Sequence, residues 1–249
     1  MKYNTERAKK FLDLEKTYYN IVDKIILGTA ILINPINKIK QSNNNKISIT
    51  SDNVVDVMIN NENSCVLIFA SAKKPGGGVV NGAIAQEEDI SLASTWYFQA
   101  KNAKDFYQEK HASALNTDKI LYANGLILKD TYGHDIKPVD IKFLACAAPN
   151  INGLKNQGLQ IKDEELYKEV AHRINKIIHT INDLKIKTCI LGAFGCGVFG
   201  LSSEKVATIF RDEIKNLNIN TNIIFSIKDI EMKKIFSDII LEQKLKLKI

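Results

Sequence analysis

The chain has 249 residues, with 45% hydrophobic and 25% charged side chains and a formal net charge of +6. That apolar content excludes disorder as the main state, the length is ample for a buried core, and the longest apolar run, Ile25 to Ile33, broken at Gly28 and Thr29, falls far short of the ~18–20 residues that span a bilayer. The positive charge is almost all lysine, scattered along the chain with only Arg7, Arg173 and Arg211 as arginines, so it reads as a solvated surface and no specific nucleic-acid partner is expected.

In chain order, residues 5–24 carry Phe11, Leu12, Tyr18, Tyr19, Val22 and Ile25 near helical spacing. The polar stretch at 41–46 reads as a loop tip. Cys65–Ala70 is a short continuous apolar run, the pattern of a buried strand, and it runs into KKPGGG, where regular structure must stop. Residues 90–109 read as one helix, with Ile90, Leu92, Ala93, Trp96 and Tyr97 on its apolar side. Ile120–Leu128 and Ile141–Ala148 are strand candidates. The second half alternates helix Asp163–Ile181, strand Thr188–Ala193, helix Ser203–Leu217, strand Asn222–Ile227 and helix Ile230–Ile240, which predicts a sheet covered by helices. The expected division is a helical extension over 1–45 packed on one α/β domain over 46–249. Cys65, Cys146, Cys189 and Cys196 form no CxxC pair, which predicts reduced thiols in a cytoplasmic protein.

Two glycine-rich loops carry the chemistry. Gly76, Gly77 and Gly78 follow the Cys65–Ala70 strand, and three successive glycines are costly in chain entropy unless φ is positive or something approaches the backbone closely. Asn81, then Gln86, Glu87 and Glu88, follow at once. Adjacent residues point ~100° apart on a helix, so the two carboxylates cannot flank a bond from opposite sides as in most glycosidases. One should reach the chemistry and the other hold substrate or solvent. The second loop, Gly195–Cys196–Gly197–Val198–Phe199–Gly200, leads from a strand into a helix N-terminus, where backbone N–H groups and the dipole favour an anion such as pyrophosphate. It formally matches GxGxxG, the fingerprint that an NAD-dependent dehydrogenase would use, but it lies late in the chain and the next strand's acid, Asp229, is distant, so a dinucleotide fingerprint is poorly placed here. Phe194 and Phe199 are candidates for stacking on a base or ribose. Cys196 reads as a small packing residue. His111, His134, His172 and His179 are dispersed, so no metal site and no cofactor is expected.

The segment FASAKKPGGGVVNGAIAQEE (69–88), with three glycines, the spacer Val79–Ala85 and QEE, resembles the signature of the poly(ADP-ribose) glycohydrolases, and LGAFGCGVFG resembles the phosphate loop of their bacterial-type members. Ser94–Tyr97, ILYANGLILKD (120–130) and ACAAPNING (145–153) extend the likeness. The resemblance implies a macrodomain, a three-layer α/β/α fold with a mixed central sheet, that cleaves the ribose–ribose bond of poly(ADP-ribose) on modified proteins; a monomer is expected. It implies Glu88 as the catalytic acid, held protonated by partial burial, and Glu87 on the ribose hydroxyls with Asn81 and Gln86 nearby. It places Gly76–Gly78 against the distal ribose and diphosphate, and Gly195, Cys196, Gly197, Val198 and Phe199 around the pyrophosphate. A hydrolase of mono-ADP-ribose, or a non-catalytic ADP-ribose reader of the same fold, remains an alternative at this point.

Overall fold

A computed structural model describes residues 5–21, 30–33, 46–107, 115, 117–217 and 220–241. Val22, Ile25, His111 and positions 41–45 of the expected loop tip lie outside the described residues. The chain divides into two compact units, one drawn from 1–33, 53–110 and 119–147, the other from 34–52, 111–118 and 148–249.

The first unit holds helices α1 (Thr5–Ile21), α2 (Val54–Ile59), α3 (Gln86–Ala93), α4 (Trp96–Ala100) and α5 (Lys104–Tyr107), with strands β1 (Ile31–Ile33), β3 (Cys65–Phe69), β4 (Ile120–Lys129) and β5 (Asp135–Cys146). Its strands pair in the order β1-β4-β5-β3, antiparallel through β5 and then parallel, from Cys65 opposite Lys142 to Phe69 opposite Cys146. This is a mixed sheet. Val66, Leu67 and Ile68 are fully buried, as a continuous apolar run requires. Helix α1 docks through Phe11 and Leu14, with the Tyr18 ring stacked on Phe98 at a centroid distance of 3.9 Å.

The predicted single helix over 90–109 is three short helices instead. Ser94 is extended (φ −142°, ψ 177°). Thr95 is buried and tied to β4: its N–H donates to Leu126 O (2.9 Å), and its hydroxyl accepts from Leu126 N (3.0 Å) while donating to Gln99 Oε1 (2.9 Å). Bonds to a strand thirty residues away override a local helical pattern.

The second unit holds strands β2 (Ile47–Thr50), β6 (Thr188–Leu191) and β7 (Asn222–Ser226), with helices α6 (Ile151–Asn156), α7 (Asp163–Asp183), α8 (Ser203–Leu217) and α9 (Ile230–Leu241). β7 lies between β6 and β2, and both pairings are parallel. Leu166, Val170, Ile174, Ile177 and Ile178 form the buried stripe of α7, in the register that the sequence predicts. Among the described residues, no helix is long and apolar enough to cross a membrane.

Candidate active site

In the first unit, β3 ends into the glycine loop and α3 begins at Gln86, so the loop lies between a strand end and the first turn of a helix. Gly76 and Gly77 both take φ of +64°, the left-handed conformation that disfavours any side chain. A Cβ on Gly77 would collide with Glu88 Oε1 and stand 3.2 Å from Glu87 Oε2. A Cβ on Gly78 would stand 2.6 Å from the Ala83 methyl. The glycines are therefore required by the protein's own carboxylates and turn.

Both glutamates are buried and both are bound by backbone. Glu87 Oε2 accepts from Ser71 N (2.6 Å) and Oε1 from the indole N–H of Trp96 (3.3 Å). Glu88 Oε1 accepts from Gly78 N (2.7 Å). The helical divergence of neighbouring side chains is real at Cβ, yet both carboxylates turn to the same loop and meet around Gly77. Burial, partly opposed by the bonds from Ser71 and Trp96, pushes the Glu87 carboxyl up to about 8.

That shift has a measurable sign. Between the ordinary value of 4.5 and about 8 the folded protein keeps a proton that the unfolded chain has released, so stability falls as pH rises through this window. The slope from this one group approaches ~1.4 kcal/mol per pH unit and vanishes above the upper value. Glu87→Gln is expected to lack that slope. Urea unfolding of both proteins at pH 5, 6, 7 and 8 checks it, and parallel curves would show that Glu87 ionises normally in the fold.

Gln86 spans β3: its carbonyl accepts from Phe69 N (3.0 Å) and its amide donates to Leu67 O (2.7 Å). Both ends of the amide are thus committed to holding α3 on the strand. Asn81 is exposed in the short turn Val79–Asn81, which Gly82 closes at φ +71°. Ser71 and Trp96 hold Glu87, a role that the sequence assigns to neither, although Trp96 lies in the Ser94–Tyr97 landmark. The only signal for them is a rule: a buried carboxylate needs donors.

In the second unit, the glycine loop leaves β6 and reaches the N-terminus of α8. Gly195 (φ +75°) is forced to be glycine by Leu201 Cδ1 and the Ala148 methyl, 2.5 and 2.8 Å from its would-be Cβ. Gly197 is different, because a Cβ there meets nothing within 4 Å. Gly197 and Val198 are exposed and Phe199 is half-buried. Among the described residues, the N–H groups of Gly197, Val198 and Phe199 have no acceptor within the chain, which leaves three successive donors unsatisfied. Phe199 O accepts from Ile151 N (3.0 Å) and Val198 O from the Asn152 amide (2.9 Å), which fixes the loop from below. Phe194 is fully buried, which corrects its candidacy as a stacking ring: it is a core side chain, and Phe199 alone of the pair retains exposure. Cys196 faces inward, and burial pushes its thiol up to about 12.

The sequence matches the family model of the microbial-type PARG catalytic domain over residues 5–129, half of the chain. The chain belongs to the microbial-type PARG family. Its family match contains α1, the three glycines and both glutamates, while the second glycine loop lies beyond it. The fold is similar to that of poly(ADP-ribose) glycohydrolase from Deinococcus radiodurans in complex with ADP-ribose, with a TM-score of 0.74, 26% identity, and 82% of this chain and 86% of that one covered. It is similar also to the enzyme from Thermomonospora curvata bound to the inhibitor ADP-HPD, with a TM-score of 0.70, 24% identity and 78% of each chain covered. No curated protein matches the sequence. In this PARG-family chain, His134 pairs with Asp130 in the β4–β5 turn, His172 with Asp118, and His179 is buried in α7. Among the described residues, no three His, Cys, Asp or Glu side chains converge as metal ligands.

Proposed function

We propose that this protein is a poly(ADP-ribose) glycohydrolase that hydrolyses the ribose–ribose O-glycosidic bond and releases ADP-ribose. The observation that carries the reading is the paired carboxylate arrangement, two buried glutamates held by N–H groups of one glycine loop, within a chain of the microbial-type PARG family. A reader that only binds ADP-ribose has no need to bury two acids side by side at one loop.

Glu88 is the general acid and base. It gives a proton to the leaving ribose oxygen as the anomeric C–O bond breaks and an oxocarbenium-like centre develops. A water molecule then adds to that carbon, and Glu88 takes its proton. Glu87 keeps its own proton at neutral pH because of burial and contacts ribose hydroxyls. Gly76–Gly78 and Asn81 contact the substrate, with Gln86 as their support. The donors of Gly197, Val198 and Phe199 suit a diphosphate, with Gly195 and Cys196 shaping their loop. The chain is proposed to act as a monomer in the cytoplasm on ADP-ribose chains carried by modified proteins, with residues 1–45 as an extension of the 46–249 domain.

The test is a substrate panel. The protein should release ADP-ribose from automodified polymer much faster than from a mono-ADP-ribosylated peptide. Comparable rates on both, or release from the peptide alone, would replace this reading with that of a mono-ADP-ribosyl hydrolase.

A further inference from the structure

Arg7 lies on the opening turn of α1, far from the signature in sequence. Arg7, Phe11, Leu14 and Tyr18 recur at intervals of three and four residues and therefore share one helix face. That face is docked. Phe11 and Leu14 are buried, and the Phe11 ring meets Tyr97 edge-on at 4.8 Å. Tyr97 in turn lies over the glycine loop, 2.8 Å from where a Cβ of Gly76 would be. Asp13, also on α1, pairs with the buried Lys129 ammonium at 2.8 Å.

With the helix fixed in this way, the Arg7 guanidinium spans the segment that carries the carboxylates. Its Nε donates to Ala83 O (3.1 Å), and its terminal nitrogen pairs with Asp89 Oδ1 (2.8 Å). The Arg7 and Asp89 side chains are each about four-fifths shielded from solvent, 19% and 20% exposed, so the pair is stronger than an open surface ion pair. Its two contacts fall on either side of Glu88. Ala83 carries the methyl that packs against Gly78, the residue whose N–H holds Glu88, and Ala83 N donates to Gly78 O at 3.1 Å. Asp89 follows Glu88 directly.

We infer that Arg7 is a positioning residue of the reaction: helix α1 sets the Glu88 carboxylate by clamping Ala83 and Asp89 through one guanidinium. The inference rests on the glycohydrolase reading for its kinetic consequence, but the clamp itself is a matter of geometry. A planar fork meets a carbonyl and a carboxylate together, whereas a lysine ammonium reaches one of them. A shift of about 1 Å in a catalytic group costs up to ~10²-fold in rate without abolishing binding.

The experiment uses the full chain as wild type, Arg7→Ala, Arg7→Lys, Asp89→Asn and the Arg7→Ala/Asp89→Asn double variant. Arg7→Ala should lower kcat for ADP-ribose release from polymer by about 10–100-fold, with KM and the Kd for ADP-ribose within about threefold of wild type. Arg7→Lys should recover only part of kcat. The two substitutions should be less than additive in the double variant, because both weaken the Arg7–Asp89 pair. Amide exchange gives a readout free of turnover: Gly78 N–H should exchange at least about tenfold faster in Arg7→Ala while the β3 amides are unchanged. Wild-type kcat in Arg7→Ala, or a rate loss that follows the folded fraction with Gly78 exchange unaltered, would overturn the inference. A wild-type protein inactive on every ADP-ribosylated substrate would overturn the functional reading instead, and Gly78 exchange would still decide whether Arg7 holds the loop.

Discussion

Glu88→Gln is expected to lower ADP-ribose release from polymer by about 10²–10⁴-fold, the range supplied by a positioned general acid and base. The substitution keeps the shape of the side chain and an oxygen able to accept from Gly78 N, so the 2.7 Å bond that seats it survives. It removes only the transferable proton. ADP-ribose should therefore bind within a few-fold of wild type, by calorimetry, because binding is assigned to loop backbone and not to this carboxyl. Undiminished release by Glu88→Gln would remove Glu88 from the mechanism. Loss of binding in step with loss of turnover would show that the carboxylate is structural.

Gly77→Ala should be nearly as damaging, for a steric reason. The residue sits at φ +64°, where an alanine costs roughly 1–2 kcal/mol. Its methyl would also occupy the space of the Glu88 carboxylate and crowd that of Glu87. Something must move, and the flexible partners are the two glutamate side chains. Turnover should fall by ~10²-fold with a modest loss of thermal stability. Gly197→Ala supplies the contrast, since its methyl meets nothing within 4 Å and no positive φ opposes it. That protein should melt at the wild-type temperature and lose ADP-ribose affinity, because only an incoming ligand needs the bare backbone. A Gly77→Ala enzyme with normal kcat would refute the steric argument.

Much of this is legible in the sequence. The strand Cys65–Phe69 and helix Asp163–Asp183 follow their apolar patterns directly, because burial on both faces of a strand and on one stripe of a helix leaves those signatures. Elements of three to six residues, β1, β2, α2 and α6, carry too little pattern to stand out. The break at Ser94 and Thr95 was hidden for another reason: what breaks the helix is a set of bonds to Leu126, and nothing local records them. In the site, the side chains QEE and the glycines could be read, whereas the donors that hold the carboxylates could not. Ser71 and Gly78 act through backbone N–H, which every residue but proline possesses. Phe194 illustrates the opposite error, an aromatic beside a glycine loop that turns out to face the core.

The four cysteines carry a practical consequence. All are buried, Cys65 and Cys146 in the first unit and Cys189 and Cys196 in the second. Thiol reagents react with the thiolate, so the folded protein should be almost inert to them; at Cys196 burial also pushes the thiol up to about 12. Each thiol then becomes a clock for opening of its surroundings. Two clocks in each unit record, without any label being introduced, whether the halves of the chain open together or one before the other.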